Sequence, residues 1–282
     1  MVIESLVNPF KAEKSPWEMV FIGFFYASVG VFLGLWIFRE SASLVMVFLT
    51  VVAAVPLMYN TLKLEEKKDT LARGELPLLK EHAKALAFFM FLFLGTTLAF
   101  SAWYIFLPSD LAQHLFTSQT ETIVDISNKV TGNVSQFPIF SKIFLNNIKV
   151  LAFCILFSFV YGAGAIFILT WNSSVIGTAI GNFIRSNISS AAQSTGLVKV
   201  ASYFHISLLG LFRYAIHGIP EILAYFVGGL AGGIISVAVI RHHFTTKSFE
   251  KIVIDSADLL ILSIGLLFIA ALLEVYITPI LF

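Results

Sequence analysis

VASYFHISLLGLFRYAIHGIPEILAYFVGGLAGGIISVAVI, residues 200–240, decides the fold class. Apart from two histidines, only Arg213 and Glu221 can carry charge in the whole stretch. Its apolar runs show no period-two alternation and exceed the roughly 10 residues that a membrane-barrel strand needs. Lipid offers no partner for an open backbone N–H or C=O, so such runs read as transmembrane helices. His217-Gly218-Ile219-Pro220-Glu221 interrupts them and reads as helix punctuation. Gly218 suits a helix C-terminus, Pro220 the first position of the next helix, and Glu221 its first turn. The expectation is a tight hairpin joining a span at 200–217 to one at 221–240.

Working outward, similar runs at 17–38, 43–59, 85–107, 143–169 and 259–282 bring the expected number of spans to seven. The composition agrees. Over 282 residues, 58% are hydrophobic and 12% charged, with a mean hydropathy of +0.89. A soluble domain carries about 25% charged residues. The predicted fold is an all-α integral membrane bundle occupying a cell membrane. The net charge of +1 gives no basis for a nucleic-acid surface. Cys154 is the only cysteine, so an internal disulfide or thiolate metal cluster is excluded. Met1–Lys14 is polar and does not read as a cleavable signal.

The charges give an expected orientation. Lys63, Lys67, Lys68, Arg73, Lys80 and Lys84 cluster between the second and third spans, which places that segment in the cytoplasm. The N-terminus is then inside and the C-terminus outside, with Arg185, Lys199, Arg241, Lys247 and Lys251 on the cytoplasmic face and the polar loop 108–142 opposite. That loop contains Asn133-Val134-Ser135, the spacing of an N-glycosylation acceptor. Residues 62–73 mix Glu65, Glu66 and Asp69 with Lys67 and Lys68, as expected of a solvated helical extension or a docking site. Residues 171–199 read either as interfacial or as re-entrant.

Depth along the expected spans singles out a polar group. Asn146, Asn147 and Lys149 lie at the start of the fourth span, Arg213, His217 and Glu221 flank the expected hairpin, and Glu274 lies in the outer half of the seventh. Ionisable groups at such depth are costly unless paired or hydrated, so they mark either a substrate pathway or a structural ion-pair network. A second pattern is of close packing. Gly30 and Gly34, then Gly228, Gly229, Gly232 and Gly233, form small-xxx-small frames, and Gly162 and Gly164 offer a kink or a close contact. Packing within the chain is the simpler use of these frames; a homo-oligomer is the other. P-loop, H-E-x-x-H, G-x-S-x-G and G-x-G-x-x-G signatures do not occur, so no cofactor or metal is expected and the reading leans away from an enzyme.

From about Lys80 onward the order of these features resembles the stage II sporulation protein M family of multi-pass membrane proteins. The matching elements are Asn146-Asn147, Gly162-Ala163-Gly164, Trp171-Asn172 with Gly177, and His217-Gly218-Ile219-Pro220-Glu221 before a glycine-rich span. The resemblance implies a family-like body at 80–282 behind two added spans at 1–79. It also implies a non-enzymatic membrane protein that organises or recruits partners, themselves membrane-bound or soluble. The alternative is a transporter or channel working through the polar group.

Overall fold

The computed structural model describes residues 9–71, 75–130, 136–161, 164–191, 196–240 and 246–281. Among them every regular element is a helix. A short α1 (Pro9–Lys14) precedes α2 (Glu18–Ile37), α3 (Ala42–Leu71) and α4 (Glu75–Phe106). Two shorter helices, α5 (Ser109–Leu115) and α6 (Thr117–Val130), lead into α7 (Gln136–Tyr161). Then come α8 (Ala165–Ala191), α9 (Gly196–Ile240) and α10 (Lys247–Leu272). The last continues through a π-helical stretch, Leu273–Ile277, into α11 (Thr278–Leu281). Among the described residues seven helices are long and apolar enough to cross a membrane: α2, α3, α4, α7, α8, α9 and α10 with its continuation. The chain is thus an all-α polytopic membrane protein.

The seven are divided differently from the sequence expectation. No hairpin forms at His217–Glu221; α9 runs unbroken through it for 45 residues, about 67 Å at 1.5 Å per residue. Pro220 removes one N–H and leaves the Ile216 carbonyl without its usual donor, a loss that packed neighbours in a membrane bundle can absorb. The missing span is α8, which occupies the segment expected to be interfacial or re-entrant. Its mean hydropathy of 1.2 is the lowest of the seven. Asn172, Ser173, Ser174 and Thr178 cause this, and the bundle buries Ser173, Ser174 and Thr178. Their polar atoms stay satisfied: Thr178 donates to the Ser174 carbonyl at 2.7 Å, and the Ser173 hydroxyl meets Thr96 at 2.6 Å and Thr97 at 3.0 Å. The fourth span ends early, at Tyr161. Gly164 lies in the turn before α8, where a Cβ would strike the Phe157 backbone. Gly162 and Asn133 lie outside the described residues.

The expected outer loop 108–142 is largely helical. α5 and α6 cap one end of the bundle, and Gln119 of α6 is fully buried there. Its side chain accepts from the Ser43 hydroxyl at 2.8 Å and donates to Ser174 Oγ at 3.2 Å. Arg185, expected on the opposite face, belongs to this cap end. Its guanidinium donates to the carbonyls of Tyr104 and Leu107 and to Ser109 Oγ at 2.9, 3.1 and 2.7 Å. The separation of charges that set the expected orientation therefore fails at Arg185, because the extra span α8 carries it back to the cap.

Glycines bring the helices together. A Cβ at Gly30 would lie 2.6 Å from the Met46 carbonyl oxygen, and one at Gly34 3.3 Å from that of Ala42, so both glycines admit α3 against α2. Along α9, Gly228 faces Leu151 of α7, and a Cβ at Gly232 would lie 2.8 Å from the Ile155 carbonyl oxygen of α7. One at Gly229 would lie 2.8 Å from Ala165 of α8, and one at Gly233 2.5 Å from Leu62 of α3. All six glycines are thus occupied by contacts within the chain. α9 is the central helix: 83% of its most apolar window is buried, against 22% for α7 and 28% for α10.

At the end opposite the cap, the described part of the segment expected to be solvated is exposed at Lys63 and Lys67 but not at its glutamates. Glu65 and Glu66 are fully buried. Glu65 accepts from Lys68 Nζ at 2.8 Å and its other oxygen lies 2.7 Å from His82 Nδ1, while Lys68 also reaches Glu13 of α1 at 2.8 Å. Glu65 and Lys68 of this segment are thus paired with residues of the chain's own α1 and α4.

Candidate functional site

Helical spacing sets one face of α9 toward a cavity. Tyr214, His217, Gly218, Glu221 and Tyr225 recur at intervals of three and four residues and so share one side of the helix. A cavity of about 310 Å³ lies beside that face, bounded by α7, α8 and the π-helical stretch, with Ile123 of α6 contributing to its wall. Asn146, Asn147, His217, Glu221 and Glu274 all line it. Tyr214 and Tyr225 join them from α9, Asn172 from α8 and Lys142 from α7.

Two residues of the expected cluster stay away. Lys149 is exposed on α7 and does not line the cavity. Arg213 is also exposed, its guanidinium carbon 5.8 Å from the centre of the Phe183 ring. Adjacent residues differ by about 100° around a helix of 3.6 residues per turn, so Arg213 is rotated off the face that Tyr214 presents. Lys149 and Arg213 are therefore absent from the cavity wall that carries the two glutamates. His205, the other histidine of α9, is exposed as well.

The Tyr225 hydroxyl donates to Glu221 Oε1 at 2.9 Å and leaves the other carboxyl oxygen for a different partner. Glu274 sits in the π-helical stretch Leu273–Ile277, whose wider turn closes with the Thr278 N–H on the Leu273 carbonyl. Such stretches insert a residue into the helical repeat and recur at functional sites. The Thr278 hydroxyl donates to the same carbonyl at 3.0 Å and lies 3.3 Å from His217 Nδ1. Asn147 is 5% exposed, and its amide nitrogen Nδ2 has no hydrogen-bond partner among the described residues. A buried donor left unmade costs about 1–3 kcal/mol.

The cavity thus offers two carboxyl groups, the buried amide donor of Asn147, two further amides, two phenols, the His217 imidazole and, at its exposed edge, the single ammonium of Lys142, so its carboxyl groups outnumber its lysine. It suits a ligand that brings positive charge or donors for the glutamates and an acceptor for Asn147. Among the described residues no group of three or more His, Cys, Asp or Glu is placed to hold a metal ion. Cys154 is buried and reduced. Sequence reasoning missed Tyr214 and Tyr225, although their spacing from His217 and Glu221 was there to be read. Asn172 could not be placed without knowing that α8 is a span, and Lys142 was assigned to a loop.

Neither a curated protein nor a solved structure matches the chain significantly. The family model described as stage II sporulation protein M matches residues 84–279, from within α4 to within α11, and so takes in every residue of the cavity. The match covers well over half of the 282 residues, and the chain belongs to the stage II sporulation protein M family.

Proposed function

We propose that this membrane protein binds a small polar solute carrying positive charge in the cavity between α7, α8 and α9, as the recognition step of transport. One observation carries the reading: Glu221 and Glu274 face a common space of about 310 Å³ beside the unpartnered amide of Asn147. Ionisable groups inside a membrane bundle are retained where they serve a substrate path or pair with one another, and among the described residues no cation forms an ion pair with either carboxylate. The test is solute flux in proteoliposomes made with the full chain. Amine-bearing solutes should enter faster than neutral or anionic ones of similar size, and Glu221→Gln should abolish the difference. Equal flux for all three classes, unchanged by Glu221→Gln, would remove transport through this site.

Organisation or recruitment of partners in the cell membrane is a second reading, supported by family membership and by the α5–α6 cap. That cap carries exposed polar residues, Thr120 and Glu121, beyond the spanning helices. Partners would be other membrane proteins, soluble proteins or further copies of the chain. Affinity purification in mild detergent should then recover a partner in fixed ratio, and substitutions at Thr120 and Glu121 should release it.

A further inference from the structure

The polar cavity has an apolar neighbour. A second cavity, of about 370 Å³, lies between α4, α8 and α9 with Phe91, Leu94, Ile180, Leu211 and Ile222 on its walls. The two share Ile176, Tyr214 and Gly218 as a common boundary. Polar lining therefore gives way to hydrocarbon lining across one turn of α9, with Glu221 on one side and Ile222 on the other. Phe212 and Ile219 edge the apolar cavity and are 53% and 56% exposed, which opens it toward the lipid-facing surface.

Gly218 distinguishes this boundary from an ordinary helix contact. The glycines farther along α9 each leave room that a neighbouring helix fills, whereas a Cβ at Gly218 would meet nothing within 4 Å. Packing does not require glycine there, and glycine weakens a helix interior relative to alanine. Gly218 instead leaves open space at the boundary between the two cavities. Gly265 of α10 is similarly open but lines neither of them.

We propose that the two cavities form one site for an amphiphile, an amino-phospholipid drawn sideways from the bilayer. Its ammonium lies against Glu221 and Glu274, an oxygen of its head accepts from Asn147 Nδ2, and one hydrocarbon chain passes Gly218 to lie along Phe91, Leu94 and Ile222. The inference rests on the reading that the polar cavity binds a positively charged head. Charge complementarity selects an ammonium-bearing head, and the apolar cavity requires that the head be attached to a chain.

The test uses the full-length protein in detergent with tail-labelled phosphatidylethanolamine, tail-labelled phosphatidylglycerol and soluble phosphoethanolamine. Phosphatidylethanolamine should bind roughly tenfold or more tightly than phosphatidylglycerol, and the double variant E221Q/E274Q should erase that preference. Gly218→Leu, which fills the open space at the boundary, should weaken phosphatidylethanolamine roughly tenfold and phosphoethanolamine distinctly less. Gly218→Ala and the thermal midpoint of each variant show whether a loss is one of binding or of folding. Equal binding of the two lipids overturns the proposal and identifies them as unspecific boundary lipid. Binding of phosphoethanolamine with no preference for its lipid, or no effect of Gly218→Leu, also overturns it but leaves the polar cavity as a solute site. Failure of all three probes to bind removes both readings.

Discussion

The two buried polar clusters of this bundle lie toward opposite ends and solve the same electrostatic problem in opposite ways. Away from the cap, charges meet directly: Glu65 contacts His82 at 2.7 Å and Lys68 at 2.8 Å, and Lys68 reaches Glu13 at 2.8 Å. Three helices are tied together by groups distant in sequence. In the cavity under the cap, Glu221 is held by the Tyr225 hydroxyl, Glu274 faces open volume, and Asn147 presents an unpartnered donor. Partners within the chain offset much of the desolvation of the first cluster. The second keeps room for a partner from outside. Burial of charge alone therefore does not identify a functional site in this protein; the space left beside the charge does.

Substitutions can break this contrast. The largest effect is expected at Glu65→Ala, which leaves half-buried Lys68 and buried His82 without their shared carboxylate; removing one member of a buried pair costs about 3–5 kcal/mol. Thermal unfolding in detergent should show a large drop, with any loss of ligand binding following from unfolding. Next is Gly232→Leu. A Cβ there already lies 2.8 Å from the Ile155 carbonyl oxygen, backbone that cannot swing aside, so overpacking should cost about 1–3 kcal/mol by the same assay.

Asn147→Leu should move stability the other way. It removes a buried donor with no partner and fills part of the cavity, so the unliganded protein should gain about 1 kcal/mol while amine binding falls. A destabilised Asn147→Leu variant would mean that the amide has a structural partner and that the two ends are alike. The smallest effect is expected at Lys149→Ala and Arg213→Ala. Both residues are exposed and outside the cavity, and each change should stay within about 0.5 kcal/mol with binding unaltered.

Much of the site was legible because ionisable and amide groups stand out against an apolar background. Asn146, Asn147, His217, Glu221 and Glu274 could all be picked out by depth, a property that survives errors in the exact path of the chain. Lys149 and Arg213 share that depth but not the direction. Rotation about a helix axis is set by which neighbours pack on it, and the neighbours of α9 were misassigned as long as α8 was not counted as a span. The same error put Arg185 at the wrong end. Glu65 and Glu66 looked solvated because their local pattern of alternating charge is that of an exposed helix, and the partners of the Glu65–Lys68 pair, His82 of α4 and Glu13 of α1, come from other helices.

The order of the motifs carried the family resemblance, and the count of seven matched only because reading α9 as two spans offset the unread α8. What composition and hydropathy by themselves determined is that the chain crosses a membrane and does so as helices. These follow from sums over a segment: the transfer of some 20 apolar side chains outweighs a few polar ones wherever the segment lies. The tertiary structure decided what depends on contact between segments. It made a span of the polar α8 by burying Ser173, Ser174 and Thr178 between helices, and it carried α9 straight through Pro220. It also chose which charges touch and which surround a space, because the energy of a charge in a membrane is set by its neighbours and not by its own place in the sequence.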